Sequence, residues 1–128
     1  MSACPCGSGQ AYAACCQPLH AGNTPAPTAE ALMRSRYSAY VHRLESYLLA
    51  TWHPSTRPSE LDLAADASKW LGLEVRCHDV QDDSHASVEF VARYRLAGRG
   101  HRLHEISRFV REDGRWYYID GDLLGRDS

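Results

Sequence analysis

The residues whose types and spacing could do chemistry are concentrated at the start of this chain. Four of the five cysteines, Cys4, Cys6, Cys15 and Cys16, follow a C-x-C-x8-C-C pattern, and only Cys77 lies elsewhere. Four thiolates this close in sequence are a ligand set that a tetrahedral Zn²⁺ prefers. Two alternatives stay open at this point: a pair of crossed disulfide bridges, and thiols that bind nothing.

The expected compartment favours the metal over the disulfides. The residues before Cys4 show neither the basic start nor the apolar run of a secretory leader, so a cytoplasmic location is expected. In that reducing environment clustered cysteines more often bind metal than form bridges. The expected cofactor is one structural Zn²⁺ with no open coordination position. His20, four residues past Cys16, could replace that cysteine as the fourth ligand.

Several segments of the chain resemble known families. Cys4-Pro5-Cys6-Gly7-Ser8-Gly9, followed by Cys15-Cys16, resembles the SEC-C motif, named for the C-terminal tail of the translocase motor SecA, where it binds zinc and contacts partner proteins. LMRSRY at 32–37, TWHP at 51–54 and WYYIDG at 116–121 resemble the bacterial YchJ family, in order along nearly the whole chain. The resemblance implies an NTF2-like central domain, which is an α+β cone with a pocket, and a protein partner for the zinc-binding segment.

Length and composition fit one small domain plus that segment. A chain of 128 residues with 44% hydrophobic residues can bury one core. We assign residues 1–20 to the SEC-C zinc-binding motif, called the knuckle below, 21–27 to a linker, 28–124 to the NTF2-like domain and 125–128 to a tail. No run approaches about 20 apolar residues, so no membrane span is expected. The formal net charge of −2 gives no electrostatic case for nucleic acid as a partner.

The hydrophobic pattern changes its period between the two halves. Thr28 is a good N-cap for a helical pattern that ends at Pro54, as one helix or as two with a break near residues 42–44. Residues 59–69 predict a further amphipathic helix. Alternation then predicts strands near 71–77, 88–96, 102–111 and 116–121. Helices followed by an antiparallel meander predict an α+β fold with the helices packed on one face of a four-stranded sheet.

Several polar residues share the apolar faces of these elements. A buried charge is costly unless it is paired, so we expect Arg34 or Arg36 to pair with Glu105 or Asp120. These groups would form either a structural network that pins helix to sheet or the lining of a pocket. The predicted pocket residues are Arg34, Arg36, Tyr37, His53, Glu105, Phe109, Trp116, Tyr118 and Asp120.

Catalysis in such a pocket would need a base and a group that orients it. The candidates are His53 or His104 as the base and Glu105 or Asp120 as its partner. No nucleophile motif, phosphate loop or nucleotide fingerprint accompanies them, so an enzyme of hydrolase or isomerase type is not the favoured hypothesis. The favoured one is a non-enzymatic zinc adaptor whose knuckle docks a protein partner and whose NTF2-like domain binds a small ligand or helps the chain to dimerise. A purely structural knuckle is the third.

Two further expectations concern the strands. Cys77 is in phase with Leu73 and Val75, which predicts a small core residue. Trp116 and its neighbours Tyr117 and Tyr118 give the last strand aromatic surface on both faces. NTF2-like domains often pair through the open face of the sheet, so the resemblance also implies a homodimer.

Overall fold

The computed structural model describes residues 3–22, 24–61 and 68–127, with side chains as far as Leu124. The described residues form a 3-10 turn (Tyr12–Ala14), three helices, α1 (Gln17–His20), α2 (Ala29–His42) and α3 (Glu45–Ala50), and four strands, β1 (Lys69–Asp82), β2 (His85–Leu96), β3 (Arg99–Glu112) and β4 (Arg115–Asp127). The strands pair antiparallel in the order β1-β2-β3-β4. The predicted α+β class and the four-stranded meander are therefore confirmed.

Helix α2 begins at the predicted N-cap and ends at a residue in the left-handed conformation. The Thr28 hydroxyl accepts a hydrogen bond of 3.0 Å from the backbone amide of Ala31, and Glu30 lies in the positive first turn. The helix ends at Arg43, whose φ of 59° is left-handed. The chain restarts at once as α3, so the helical pattern forms two helices with a break at the predicted place.

The helix predicted over residues 59–69 falls largely on residues 62–67, which lie outside the described part of the chain. The flanking Ser59–Leu61 and Ser68 are not helical, and Lys69 already begins β1. Trp70, which directly follows the predicted helix, lies on β1 opposite Tyr94 of β2.

Tight turns join the long strands. Ala97 and Gly98 have φ values of 55° and 78° between β2 and β3, and Asp113 and Gly114 have 53° and 78° between β3 and β4. Positive φ at both central residues is the hairpin geometry whose twist matches that of paired strands. These turns hold β2, β3 and β4 in close register.

Irregularities in the sheet change which side chains face inward. The β1–β2 register shifts between Val75 and Cys77, and Cys77 is exposed opposite Glu89. The prediction of Cys77 as a core residue is therefore wrong: the bulge adds one residue and reverses the side to which the following side chains point. His78 takes the inward position in its place and is half-buried.

The core lies between α2 and the inner face of the sheet. Every second residue of β2 from Ala86 to Ala92 is buried there, together with Leu32, Met33 and Tyr37 of α2. Helix α3 adds Leu48, which packs with Ala39 in a smaller cluster. None of the helices in the described ranges combines the length and the apolar character that crossing a membrane requires.

Candidate functional site

The four cysteines of the knuckle converge on one point. Their Sγ atoms all lie within 4.8 Å of one another, and Cys4, Cys6 and Cys16 are buried while Cys15 is half-buried. The Sγ atoms of Cys6 and Cys15 are 3.6 Å apart, and those of Cys15 and Cys16 are 3.9 Å apart. Zn–S bonds of about 2.3 Å in a tetrahedron separate neighbouring sulfurs by roughly 3.8 Å. The cluster therefore fits a four-thiolate metal ion, and its cysteines are unbridged.

Local backbone geometry brings the two cysteine pairs together. The backbone amide of Cys4 donates to the carbonyl of Gln10 at 2.8 Å, which closes a loop. Within that loop Gly7 and Gly9 have φ values of 80° and 86°, a region that favours glycine. The 3-10 turn after the loop then delivers Cys15 and Cys16. The glycines and the alanine-rich turn of the sequence are therefore what shapes the site.

The thiols are electrostatically unequal. Hydrogen bonding from Cys16 lowers the pKa of Cys6 to about 4, with smaller help from Ser8 and Cys4, while burial opposes the shift. The hydrogen bond with Cys6 and burial raise the pKa of Cys16, and burial raises that of Cys15. One thiolate thus suppresses ionisation of its neighbours, as expected for like charges at this distance. A divalent cation would supply the positive charge needed to ionise all four.

The knuckle is bonded to α2 by several contacts. Arg34 Nη1 donates to the carbonyl of Cys6 at 2.8 Å, while its Nε pairs with Glu30 at 3.0 Å. The Cys4 thiol lies 3.9 Å from the hydroxyl of Ser38. A Cβ at Gly7 would stand 3.2 Å from the carbonyl of Leu73 in β1, so the loop also approaches the sheet closely. The knuckle is thus part of the packed structure.

His20 links the knuckle to α2 through both ring nitrogens. Nε2 lies 2.8 Å from the carbonyl of Ser35, and Nδ1 lies 2.7 Å from the hydroxyl of Tyr12. A carbonyl only accepts, so Nε2 carries the proton and Nδ1 accepts from Tyr12. Burial lowers the pKa of His20, which favours this neutral form. His20 therefore bridges Tyr12 and Ser35, and the group of potential metal ligands consists of the four cysteines without it.

A second concave site lies on another face of α2, between that helix and the sheet. This cone cavity has a volume of about 240 Å³. Among the predicted pocket residues, its wall includes Arg36, Tyr37, Glu105, Phe109 and Tyr118. The wall also includes residues that were not predicted: Met33, Tyr40, Trp52, Trp70, Phe90, Ala92, Leu103 and Ser107.

Arg36 is a buried cation in the cavity wall, with 6% of its surface exposed. Its Nη1 donates to the carbonyl of Leu48 and to the hydroxyl of Thr51, at 2.8 and 2.7 Å. Its guanidinium lies 5.1 Å from the ring centre of Trp52 and 4.8 Å from that of Tyr118. Burial lowers the pKa of Arg36, and nearby tyrosines and Glu105 oppose that shift. Two aromatic faces therefore surround the charge.

Glu105 is the carboxylate of the cavity wall. The hydroxyl of Ser107 donates to its Oε2 at 2.7 Å. A Cβ added at Gly121 would stand only 2.5 Å from this same oxygen. The glycine therefore leaves room for the carboxylate. In the described part of the chain Glu105 forms no ion pair with Arg34 or Arg36. The expected network of arginines with Glu105 and Asp120 is thus not formed: Arg34 pairs with Glu30.

The two histidine candidates lie away from the cavity. The backbone of His53 pairs with Tyr118 at the edge of β4, and its Nε2 lies 2.8 Å from Glu112 Oε2. His104 faces the other side of the sheet, where its Nε2 lies 2.7 Å from Glu89 Oε2. The structure therefore does not bring a histidine to Glu105, and the base-and-orienter arrangement is not assembled.

The remaining predicted pocket residues also lie elsewhere. The register between β3 and β4 shifts between Arg108 and Phe109, so that Tyr118 faces the cavity while Asp120 faces out. There Asp120 is exposed and pairs with Arg108 at 2.6 Å. Trp116 is a core residue beside a separate cavity, which Leu32 of α2 also lines. Alternate residues of a strand point to the same face of the sheet. This pattern on β2 and β3 could have identified four of the cavity residues: Phe90, Ala92, Leu103 and Ser107.

Comparison with family models assigns both parts of the chain. Residues 28–121 match the model described as YchJ, middle NTF2-like domain. Residues 2–18 match the SEC-C motif. The cone cavity lies in the first region, and the four cysteines lie in the second.

Comparison with individual proteins gives the same result. A UPF0225 protein of Bordetella parapertussis is 60% identical over 124 residues, which is 95% of this chain and 93% of the relative. A SEC-C motif containing protein from Rhodopseudomonas palustris, solved in solution, is 38% identical with a TM-score of 0.85, over 95% of this chain and 98% of the other. One from Psychrobacter arcticus, a crystal structure, is 32% identical with a TM-score of 0.79, over 98% and 84%.

Proposed function

The chain belongs to the YchJ family, with a SEC-C motif before an NTF2-like domain, and from that premise we propose that it is a zinc-binding, non-enzymatic adaptor. The knuckle holds one structural Zn²⁺ and docks a protein partner, and the cone cavity binds a small molecule. The observation that carries the zinc site is the convergence of Cys4, Cys6, Cys15 and Cys16 within 4.8 Å.

The donor set supports zinc as the metal. Thiolate sulfur is a soft ligand that zinc binds well, whereas Mg²⁺ and Ca²⁺ prefer oxygen. Four protein ligands leave no position for water or substrate, so the ion would hold shape without activating a nucleophile. The reduced state that the four thiols require makes a cytoplasmic location part of the proposal.

The outward side of the knuckle supports the adaptor role. Residues 7–10 form an exposed loop directly over the cysteines, with positive φ angles at its two glycines. In the SecA tail, which the SEC-C segment resembles, such a knuckle contacts partner proteins. Because Arg34 and Ser38 fix the knuckle to α2, the loop is presented on a rigid base and a partner would not have to order it.

The same contacts favour a second candidate, in which the knuckle is purely structural and covers one end of the domain. Both candidates need the metal, and they differ in what the exposed loop does. An enzyme in the cavity has less support, because His53 and His104 lie outside it. Homodimerisation stays a prediction, which size-exclusion chromatography with light scattering would check.

Two measurements test the proposal. Purified full-length protein should contain one zinc ion per chain by mass spectrometry of metals, and none after a strong chelator at neutral pH. A photo-reactive side chain placed at exposed Gln10 should then give a discrete adduct in a lysate of the source cells. The same group at exposed Arg93, on the far face of the sheet, is the matched control.

Each outcome separates the candidates. Protein without zinc contradicts both. If the protein binds zinc but forms no adduct at position 10, the docking role is contradicted and the purely structural knuckle is the candidate that remains. An adduct at both positions shows no preference for the knuckle and contradicts the docking role.

A further inference from the structure

The cone cavity holds two opposite charges that are not paired with each other. Arg36 and Glu105 both line it, one from α2 and one from β3. Each is held in place by protein groups: Arg36 by the carbonyl of Leu48 and by Thr51, and Glu105 by Ser107. Both charges therefore have fixed positions before any ligand enters, which is the arrangement of a pre-formed binding site.

The rest of the cavity wall is aromatic and apolar. Trp70 of β1 contacts Tyr40 and Tyr94 with tilted rings, whose centres are 6.0 and 5.2 Å from its own, and Trp52 meets Tyr118 edge to face at 5.0 Å. Such walls favour flat ligands that present a ring face or a ring edge. A volume of about 240 Å³ has room for one ring with a small substituent.

The balance of charge selects among flat ligands. The cavity carries one buried cation and one half-buried carboxylate, so its net charge is zero with both ionised. An anionic ligand would be attracted by Arg36 and repelled by Glu105. A cationic ligand would be attracted by Glu105 and repelled by Arg36. Net charge brought into an apolar site is costly, whereas a neutral ligand with both a donor and an acceptor leaves neither charge opposed.

We propose that the cone cavity binds a small, flat, net-neutral aromatic molecule of the amide or lactam type. Its carbonyl oxygen accepts from the guanidinium of Arg36, and its N–H donates to the carboxylate of Glu105. The ring packs between Trp52 and Trp70. This inference names the ligand class for the small-molecule half of the proposed function, and it does not depend on the metal or on the protein partner.

Three isosteric probes test the class directly. Benzamide is neutral with a donor and an acceptor, benzoate is an anion with acceptors only, and benzamidinium is a cation with donors only. Each is titrated into zinc-loaded, ¹⁵N-labelled full-length protein. The indole N–H signals of Trp52 and Trp70 report on the cavity, while that of Trp116, outside it, is an internal control.

The expected result is saturable movement of the Trp52 and Trp70 signals by benzamide, with a dissociation constant of about 1 mM or tighter for so small a probe. Benzoate and benzamidinium should bind at least about fivefold more weakly, and Trp116 should not respond. Equal or better binding of either ion overturns the ligand class. Failure of all three probes to move the cavity signals overturns the binding site, while the zinc content still reports separately on the proposed function.

A charge-changing variant tests the pairing of roles. In Glu105→Gln the cavity keeps Arg36 and loses the carboxylate, so benzoate should become the preferred probe, with an affinity gain of about tenfold. Exposed Glu74→Gln on β1, outside the cavity, removes the same charge and should leave the order of probes unchanged. An unchanged order in Glu105→Gln, or a reversed order in Glu74→Gln, contradicts the roles assigned to the two residues.

Discussion

The knuckle and the cone cavity lie on different faces of one helix, α2, and their polar groups are arranged in opposite ways. In the knuckle the four thiols converge on each other, within 4.8 Å, and the site is complete once a metal joins them. In the cavity Arg36 and Glu105 are held apart by separate protein groups and share an open space. Convergent groups of one kind make a closed structural site, and separated groups of opposite charge leave room for a ligand.

The two sites also differ in how far apart their residues lie in sequence. Every ligand of the knuckle lies between Cys4 and Cys16, whereas the wall of the cavity runs from Met33 to Tyr118. The knuckle therefore depends on local backbone geometry. The cavity depends on the register of every strand, so it is the more sensitive of the two to changes in the sheet.

Removal of a knuckle thiol should have the largest effect. Cys6→Ser breaks the ligand set at its most buried cysteine, and apparent zinc binding in structural sites is worth about 10–16 kcal/mol. We expect loss of bound zinc and a fall in melting temperature on the order of 10 °C or more, because the knuckle is bonded to α2. The matched control is Cys77→Ser at the exposed cysteine of β1, which should keep its zinc and its melting temperature.

The opposite outcome is that Cys6→Ser loses its zinc while the melting temperature of the domain stays the same, which would contradict the prediction. The knuckle would then be a separable module, and its contacts with Arg34 and Ser38 would contribute little.

Replacement of the buried cavity cation should have the next largest effect. Arg36→Met keeps an apolar stem but leaves the carbonyl of Leu48 and the hydroxyl of Thr51 without their donor, so we expect a loss of about 2–3 kcal/mol in the free energy of unfolding. Urea denaturation measures it. Zinc content should not change, because Arg36 points away from the knuckle. A variant that also loses zinc would show that the two faces of α2 are not independent.

Arg34→Met tests the other face and should have a smaller effect. It removes the charge-assisted hydrogen bond to the carbonyl of Cys6 and the partly exposed ion pair with Glu30. We expect a loss of about 1 kcal/mol in stability and faster transfer of zinc to a chelating dye. Binding of benzamide in the cone cavity should stay as in the parent protein. Unchanged zinc release, or a loss of ligand affinity, would contradict the assignment of Arg34 to the knuckle.

Asp120→Asn should have the smallest effect. The carboxylate is exposed and pairs with Arg108 on the outer face of the sheet, where ion pairs contribute little. The melting temperature should change by no more than about 2 °C, with no change in zinc content or in the order of the three probes. A marked change in probe binding would put Asp120 in the cavity and contradict the β3–β4 register.

The sequence was sufficient for features that depend on neighbouring residues. The cysteine pattern identified the knuckle, Thr28 identified the start of α2, and the alternating pattern identified four strands. Arg36 and Glu105 were also recognised, because a charge in phase with apolar neighbours stands out. These inferences needed only helical or strand periodicity.

The sequence was not sufficient where a bulge changes the phase of a strand. One extra residue near Val75 turns Cys77 outward, and a shift between Tyr118 and Asp120 does the same to Asp120. The amphipathic pattern predicted a helix as far as Lys69, whereas Lys69 already pairs with Arg95 as the first residue of β1. Bulges and strand pairing are set by contacts between distant segments, which periodicity within one segment does not report.

The arrangement of α2 has a consequence for how this chain can vary in length. Arg34 faces the knuckle and Arg36 faces the cavity, so a single helix sets the angle between the two sites. Inserting or deleting one residue within α2 would rotate everything after it by about 100° and disorganise both sites at once. Length changes should therefore be confined to the loops and turns, and the helix between Thr28 and Arg43 should keep a constant number of residues among related sequences.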